Sequence, residues 1–266
     1  TEGVCRQKVQ VFTNASEVSL KCNGYCLGTQ PAVSNVATVE VPFVDGENVL
    51  VAQAVKDSCD CMDMLKVRFR TVPDKFAQHK GGFTEMNVMM GSQRYFDDRQ
   101  SGICWIPEKE YQPGSWGYVG GSCLYDNRTD TRYNVFTEVD VKGTDKEPIY
   151  QTQREGLEAF RADVPDGSYS VYLHFAELVS SEKKEKLLYA LGGDAAQVEV
   201  SEREFDVEIN GVKVLDGFNL AKECSEGTAV VKKFIVNVSD DKGLNISFIA
   251  RKGQPVLNAV RIYRNY

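Results

Sequence analysis

"REFDVEINGVKVLDGF" (Arg203–Phe218) decides the fold class. Phe205, Val207 and Ile209 fall on one side of a period-two pattern, and Glu204, Asp206 and Glu208 on the other. Asn210-Gly211 follows, the pair best suited to a two-residue hairpin turn because both positions need positive φ. "VPDGSYSVYLHFAE" (Val164–Glu177) repeats the design. A Pro-Asp-Gly turn leads into Tyr169, Val171, Leu173 and Phe175, which alternate with Ser170, Tyr172 and His174. "KKFIVNVSDDKGLNISFIA" (Lys232–Ala250) predicts another hairpin around Asp241-Lys242-Gly243, with Leu244, Ile246 and Phe248 inward. Strict alternation means sheets with one wet face. The chain is therefore expected to be all-β, built as antiparallel sandwiches or jelly rolls rather than α/β.

The N-terminal part shows the same signals. "VSLKCNGYCLG" (Val18–Gly28) reads as a hairpin around Asn23-Gly24, and "ATVEVPFVDGENVLVAQAVKD" (Ala37–Asp57) as two strands joined near Asp45-Gly46. In "LKVRFRTVP" (Leu65–Pro73), Leu65, Val67 and Phe69 share one face, and Lys66, Arg68 and Arg70 the other. The polar, turn-rich "PDKFAQHKGG" (Pro73–Gly82) marks a boundary. We expect one sandwich over residues 1–73, a linker over 74–82 and a second sandwich over 83–266. One helix is predicted in "SSEKKEKLLYALGG" (Ser180–Gly193), with a Ser cap, Glu182 in the first turn, a Leu187/Leu188/Leu191 stripe and a Gly-Gly stop.

Composition narrows the function. Acidic residues number 38 against 31 basic ones, giving a net charge of −7, and no Lys/Arg cluster forms a phosphate-binding stripe. A nucleic-acid partner is not expected. No apolar run approaches the ~20 residues of a membrane helix, so membrane insertion is not expected either. The opening TEGVCRQKVQ carries no targeting run and leads almost at once into a strand, which reads as a piece of a longer chain. Of eight cysteines, five lie in the first 61 residues. Cys22-x3-Cys26 with Cys59-x-Cys61 offers a four-thiolate zinc alternative, although the second spacing is tight for a knuckle; free or paired cysteines are the plainer reading. No cofactor is expected. Calcium could be caged by carboxylates near Asp97-Asp98 or Asp126–Asp130, residue types too common to define a site. Asn-x-Ser/Thr sequons occur at Asn14, Asn127, Asn237 and Asn245.

Catalytic constellations are scarce. His79 lies in the expected linker and His174 on a strand face away from the core pattern; neither sits in a nucleophile–base arrangement. There is no phosphate loop and no dinucleotide fingerprint. Glu108 and Glu110 would face the same way in a strand, within reach of each other as candidates for a glycosidase acid pair, but a turn-rich loop holds such a pair loosely. They belong to "WIPEKEYQPGSWGYVGG" (Trp105–Gly121), which also carries both tryptophans. Trp105, Tyr111, Trp116 and Tyr118 are candidate sugar-stacking residues, since a pyranose presents a C–H face to an electron-rich ring. The alternative is that these rings pack into the core or against another domain.

The second part is similar to the malectin family. The matching residues are "IYQTQREGLEAFRADVPDGSYSVYLHFAEL" (Ile149–Leu178), "REFDVEINGVKVLDGFNL" (Arg203–Leu220) and "PVLNAVRIYR" (Pro255–Arg264), with "FTEMNVMMGSQRYFDD" as the leading edge. The resemblance covers about residues 80–266, with an insertion near 181–202. It implies a β-sandwich that, in some members, binds glucose-type oligosaccharides through loop aromatics. Those aromatics follow the Tyr-Gln-Thr-x-Arg run and the Phe-Ala-Glu strand end; here the positions hold Glu155, and Val179 with Ser180. The family's aromatic clamp is thus absent, and the Trp105–Gly121 stretch becomes the expected substitute.

The first part resembles the small immunoglobulin-like domain that follows the barrel in bacterial family 2 glycoside hydrolases. The marks are the Phe-Thr-Asn-x-x-Glu-Val-x-Leu run, the Asn-Gly-x-x-Leu-Gly hairpin and the Pro-Phe-x-x-Gly turn. Together the two resemblances imply the non-catalytic C-terminal region of a β-galactosidase-type enzyme, periplasmic or extracellular, with the catalytic domain upstream and an oligo- or polysaccharide as partner.

Overall fold

The computed structural model describes residues 4–69, 76, 83–124, 140–178, 203–223 and 227–266. The predicted helix at 180–193 lies outside them, as do His79, Val179, Ser180, Cys224 and the Asp126–Asp130 calcium candidate. The chain is all-β. The described residues up to Phe69 form one compact unit, and Phe76 with those from Phe83 onward form another.

In the first unit, β1 (Val4–Phe12) pairs with β4 (Val36–Val44) as a two-stranded sheet. A four-stranded sheet has the order β3-β2-β5-β6, from β2 (Glu17–Cys22), β3 (Tyr25–Pro31), β5 (Gly46–Lys56) and β6 (Cys59–Phe69). Leu20, Cys22, Val39, Val41, Phe43 and Leu50 fill the space between them, and the rings of Phe43 and Phe69 stack at 4.6 Å. Asn23-Gly24 makes the expected turn, with φ of 50° and 83°. Asp45-Gly46 does something else. It carries the chain from the β1/β4 sheet into the other one, and Asn48, fully buried, secures that crossing by accepting from the Val44 N–H at 3.0 Å and donating to the Val44 carbonyl at 2.8 Å. Only the end of β6 covers the core. Met62, Met64 and Leu65 remain exposed, so Leu65 does not join Val67 and Phe69 inside.

Zinc held jointly by Cys22, Cys26, Cys59 and Cys61 is ruled out by register. Cys22 faces Leu50 on β5, whereas Cys61 faces Ala54, four residues further along that strand. At ~3.4 Å per residue the thiols are too far apart to share an ion. Among the described residues no group of His, Cys, Asp or Glu is placed to hold a metal.

The second unit packs two sheets face to face. The five-stranded sheet takes β10 (Trp116–Val119), β13 (Ala159–Ala162), β18 (Leu244–Lys252), β15 (Glu204–Ile209) and β16 (Val212–Asn219), in that order. The six-stranded sheet runs β17 (Val230–Val238), β14 (Gly167–Phe175), β20 (Ala259–Asn265), β7 (Glu85–Met89), β9 (Ile103–Pro107) and β8 (Phe96–Asp98). Short strands β11 (Ser122–Cys123), β12 (Arg154–Glu155) and β19 (Val256–Leu257) close one end. The alternating residues of the sequence meet in the middle: Tyr169, Val171, Leu173 and Phe175 from β14 against Phe205, Val207, Ile209 and Ile246. Asn210-Gly211 turns as expected, and the Asn210 side chain also accepts from the Asn245 N–H at 2.8 Å, tying that turn to β18; the expected hairpin around Asp241-Lys242-Gly243 is corrected, because this turn carries the chain from β17 in the six-stranded sheet to β18 in the five-stranded one.

A second, smaller core lies on the opposite face of the six-stranded sheet. Met89, Ile103, Trp105 and Ala259 are capped there by Val141, Ile149, Tyr150, Ala176 and Leu178. That face is therefore divided: sealed at the His174 end and open at the Tyr172 end.

Candidate functional site

The Trp105–Gly121 stretch is drawn into the fold. Trp105 leaves β9 toward the smaller core and is 2% exposed; Trp116 leaves β10 toward the main core and is 5% exposed. Neither indole offers a face to a ligand, and the two sit in different clusters, so the expected stacking role is corrected for both. The reason is alternation: each ring occupies an inward position of a strand whose other side is already covered. Tyr118 is half-buried, and the Arg154 guanidinium lies 3.3 Å from its ring centre, occupying one face. Tyr111 is half-buried and donates its hydroxyl to Asp163 at 3.0 Å. The four aromatics therefore do not form a common platform. Gly117 of the stretch serves close approach: at φ 153°, it has backbone atoms of Lys109 and Tyr111 within 2.5 Å of where a Cβ would stand.

Glu108 and Glu110 do not share a direction either. Glu110 is exposed, whereas the Glu108 side chain is 6% exposed and bound by Arg154 through both oxygens, at 2.6 and 2.8 Å. A fork-to-fork pair of this kind occupies both carboxylate oxygens, which suits anchoring rather than acid catalysis.

What the structure assembles at this end of the sandwich is an ionic frame. Arg154, from the Tyr-Gln-Thr-x-Arg run, also donates to the carbonyls of Gly120 and Gly121, at 3.2 and 2.8 Å. Glu155, where the malectin resemblance places an aromatic, accepts from Arg203 at 2.5 Å and from the Gln153 amide at 3.1 Å. Arg203 reaches both oxygens of Glu177, the Glu of Phe-Ala-Glu, at 3.0 and 3.1 Å. Asn258 completes the frame. Fully buried, it donates to the carbonyls of Tyr150 and Thr152, each at 2.9 Å, and accepts from the Ala176 N–H at 2.7 Å. Arg154, Glu177, Arg203 and Asn258 stand inside the motifs that carry the malectin resemblance. Their signal is a charged or amide side chain placed beside strongly apolar runs, where burial demands a partner.

The calcium candidate at Asp97-Asp98 is resolved by Asp98, which accepts from Ser101 and pairs with Lys146 at 3.1 Å. Hydrogen bonds from Ser101, together with Lys146, hold its carboxyl at a pKa of about 2.

His174 lies at the sealed end of the divided face. Its Nδ1 is 2.8 Å from the Tyr150 hydroxyl, its ring meets Trp105 edge-on at 5.3 Å, and its Nε2 is buried. Burial, with Arg261 and Lys146 nearby, lowers its pKa to about 4. The folded state thus holds a neutral imidazole that the unfolded chain protonates below about pH 6.5. Stability is expected to fall as pH drops from about 6.5 to about 4, by roughly 2–3 kcal/mol. Urea midpoints across that interval test this: His174→Phe should flatten the slope, and a wild-type chain already flat there would refute it. Asp98, and Asp206 held at about 2 by the Gly217 N–H, Lys213 and Arg251, act lower, losing their contribution as pH falls through 4 toward 2.

At the open end, Tyr172 and Tyr263 stack at 5.8 Å with an interplanar angle of 28°. Lys233 stands 5.3 Å above the Tyr172 ring, and the Arg261 guanidinium 5.3 Å above that of Tyr263. A shallow hollow of about 470 Å³ opens here, lined by Thr84, Glu85, Tyr172, Arg261, Tyr263 and Arg264.

An all-β chain with a two-sheet sandwich, an ion-paired loop end and an open aromatic–cationic sheet face belongs to the class of sandwich domains. The malectin domain matches residues 84–264, and the chain belongs to that family. The crystal structure of Bacteroides uniformis β-glucuronidase is similar to it at a TM-score of 0.76 and 28% identity, over 99% of this chain and 28% of that one. A second structure, B. uniformis β-glucuronidase 2 covalently bound to cyclophellitol-6-carboxylate aziridine, is similar at a TM-score of 0.75 and 26% identity, over 100% of this chain and 28% of that one. A probable LRR receptor-like serine/threonine-protein kinase of Arabidopsis thaliana is 33% identical over 96 residues, 35% of this chain and 8% of that protein. The chain thus spans well under a third of the length of these relatives.

Proposed function

We propose that this chain is a non-catalytic, carbohydrate-binding accessory region of a glycoside hydrolase. One observation carries the reading: nearly the whole chain superposes on a 28% share of a β-glucuronidase chain, at a TM-score of 0.76. The malectin domain supports carbohydrate as the ligand class. The parent enzyme is proposed to be of family 2, with its catalytic domain upstream and a periplasmic or extracellular location. The names of the two solved relatives favour a β-glucuronidase over the β-galactosidase type. Tethered binding would raise local substrate concentration without adding chemistry.

The chain alone is expected to bind glycans on an array or in calorimetry and to release no product from aryl β-glucuronides or β-galactosides. Turnover by the purified chain, abolished by substituting a carboxylate within it, would replace this reading with that of a glycosidase. Absence of binding to every glycan would leave bracing of the parent enzyme as the role.

A further inference from the structure

We infer that the open half of the six-stranded sheet is a binding shelf for an acidic saccharide, one whose pyranose ring lies on the Tyr172/Tyr263 pair while its carboxylate pairs with Lys233 and Arg261. The proposal deepens the carbohydrate-binding reading above and rests on it.

Strand register builds the shelf. Lys233, Tyr172 and Arg261 stand opposite one another on β17, β14 and β20, and Ser170, Tyr263 and Glu85 form the adjacent row on β14, β20 and β7. All are outward positions, because the intervening residues Val171, Val260 and Ile262 are fully buried. Ser168, on the same face, is small and partly exposed, and Ser170 is buried. Here two large rings are joined by a 3.3 Å contact between their hydroxyls. Flat ring area suits the C–H face of a pyranose.

The charge on the shelf is cationic, in a chain whose net charge is −7. Lys233 is exposed and approaches the Tyr172 ring. Arg261 meets Glu85 only at 3.4 Å, at a half-exposed pair, and its Nε is buried with no hydrogen-bond partner among the described residues. Arg264 donates to the Asp166 carbonyl at 2.8 Å and borders the hollow. Three cations against one carboxylate leave positive charge to be met from outside. The hollow of about 470 Å³ lies within the ~300–1,000 Å³ range of small-molecule sites. Cations beside an aromatic shelf select an anionic sugar over a neutral one, since a neutral pyranose would leave them unmatched.

Calorimetry on the full chain tests this with a glucuronyl disaccharide, the matching glucosyl disaccharide and a sulfated glucosyl disaccharide. The expected result is tightest binding of the glucuronyl sugar, weakened at least tenfold by Lys233→Ala and by Tyr172→Ala, and unchanged by Lys8→Ala on β1 as a charge control. Lys233 is exposed, so its variant should melt like the parent. Equal affinity for the glucosyl sugar, or preference for the sulfated one, would overturn the carboxylate assignment. Glycan binding indifferent to Lys233→Ala and Tyr172→Ala would overturn the shelf and leave the accessory reading intact. Binding of no saccharide, these or neutral glycans at large, would remove the carbohydrate-binding reading and the shelf together.

Discussion

Arg154→Ala is expected to destabilise the second unit by about 3–5 kcal/mol, the cost typical of breaking a buried ion pair from one side. The side chains of Arg154 and Glu108 are 5% and 6% exposed, so alanine leaves a carboxylate in a site that water does not reach. The carbonyls of Gly120 and Gly121 lose their donor too. Part of the loss should therefore return when the stranded charge is removed. Arg154→Ala with Glu108→Gln is expected to be less destabilised than the sum of the single variants, by more than ~0.5 kcal/mol. Simple additivity in urea unfolding would show that the two groups do not act as a pair. Glycan affinity at the shelf should be unchanged in any variant that still folds, because the frame closes a different part of the sandwich.

Trp105→Ala is the other large effect, at about 3–5 kcal/mol. The indole fills the small core between the sheet and the Val141–Tyr150 segment, and its removal opens a void against Ile149, Tyr150 and His174. With two tryptophans in the chain, the variant retains Trp116 as a single fluorescent reporter of the main core. Its unfolding should remain cooperative at a lower urea midpoint, with Trp116 emission still blue-shifted in the folded state. A midpoint shift below ~1 kcal/mol, accompanied by loss of sugar binding, would restore the stacking role that burial argues against.

The architecture was legible because it follows from alternation. Phe205, Val207, Ile209 and the Tyr169–Phe175 set face inward as their spacing requires, and the Asn-Gly turns fall at Asn23 and Asn210. The site was less legible because a period-two pattern names two faces without saying what covers each. His174 reads as a wet-face residue until the Val141–Tyr150 segment is seen to lie over it; Tyr172, two residues earlier on the same face, stays open. Aromatic content drew attention to Trp105 and Trp116, yet large apolar rings on strands are as much core-formers as ligand platforms. Asp57-Ser58, with φ of 51° and 64°, turns a hairpin without the glycine that would have announced it. The Glu108–Arg154 and Glu177–Arg203 pairs join residues 46 and 26 positions apart, a separation that no local reading spans.

The bare length of β6 has a colloidal consequence. It is the outermost strand of its sheet among the described residues, and Met62, Met64 and Leu65 lie uncovered along it. The open outer edge of such a strand is a template for edge-to-edge association. Asp60, Asp63, Lys66 and Arg68 are interspersed with those apolar residues, so a second strand could join only by desolvating charge. These four residues are expected to act as gatekeepers, so that neutralising them promotes association through the first unit while its fold remains intact.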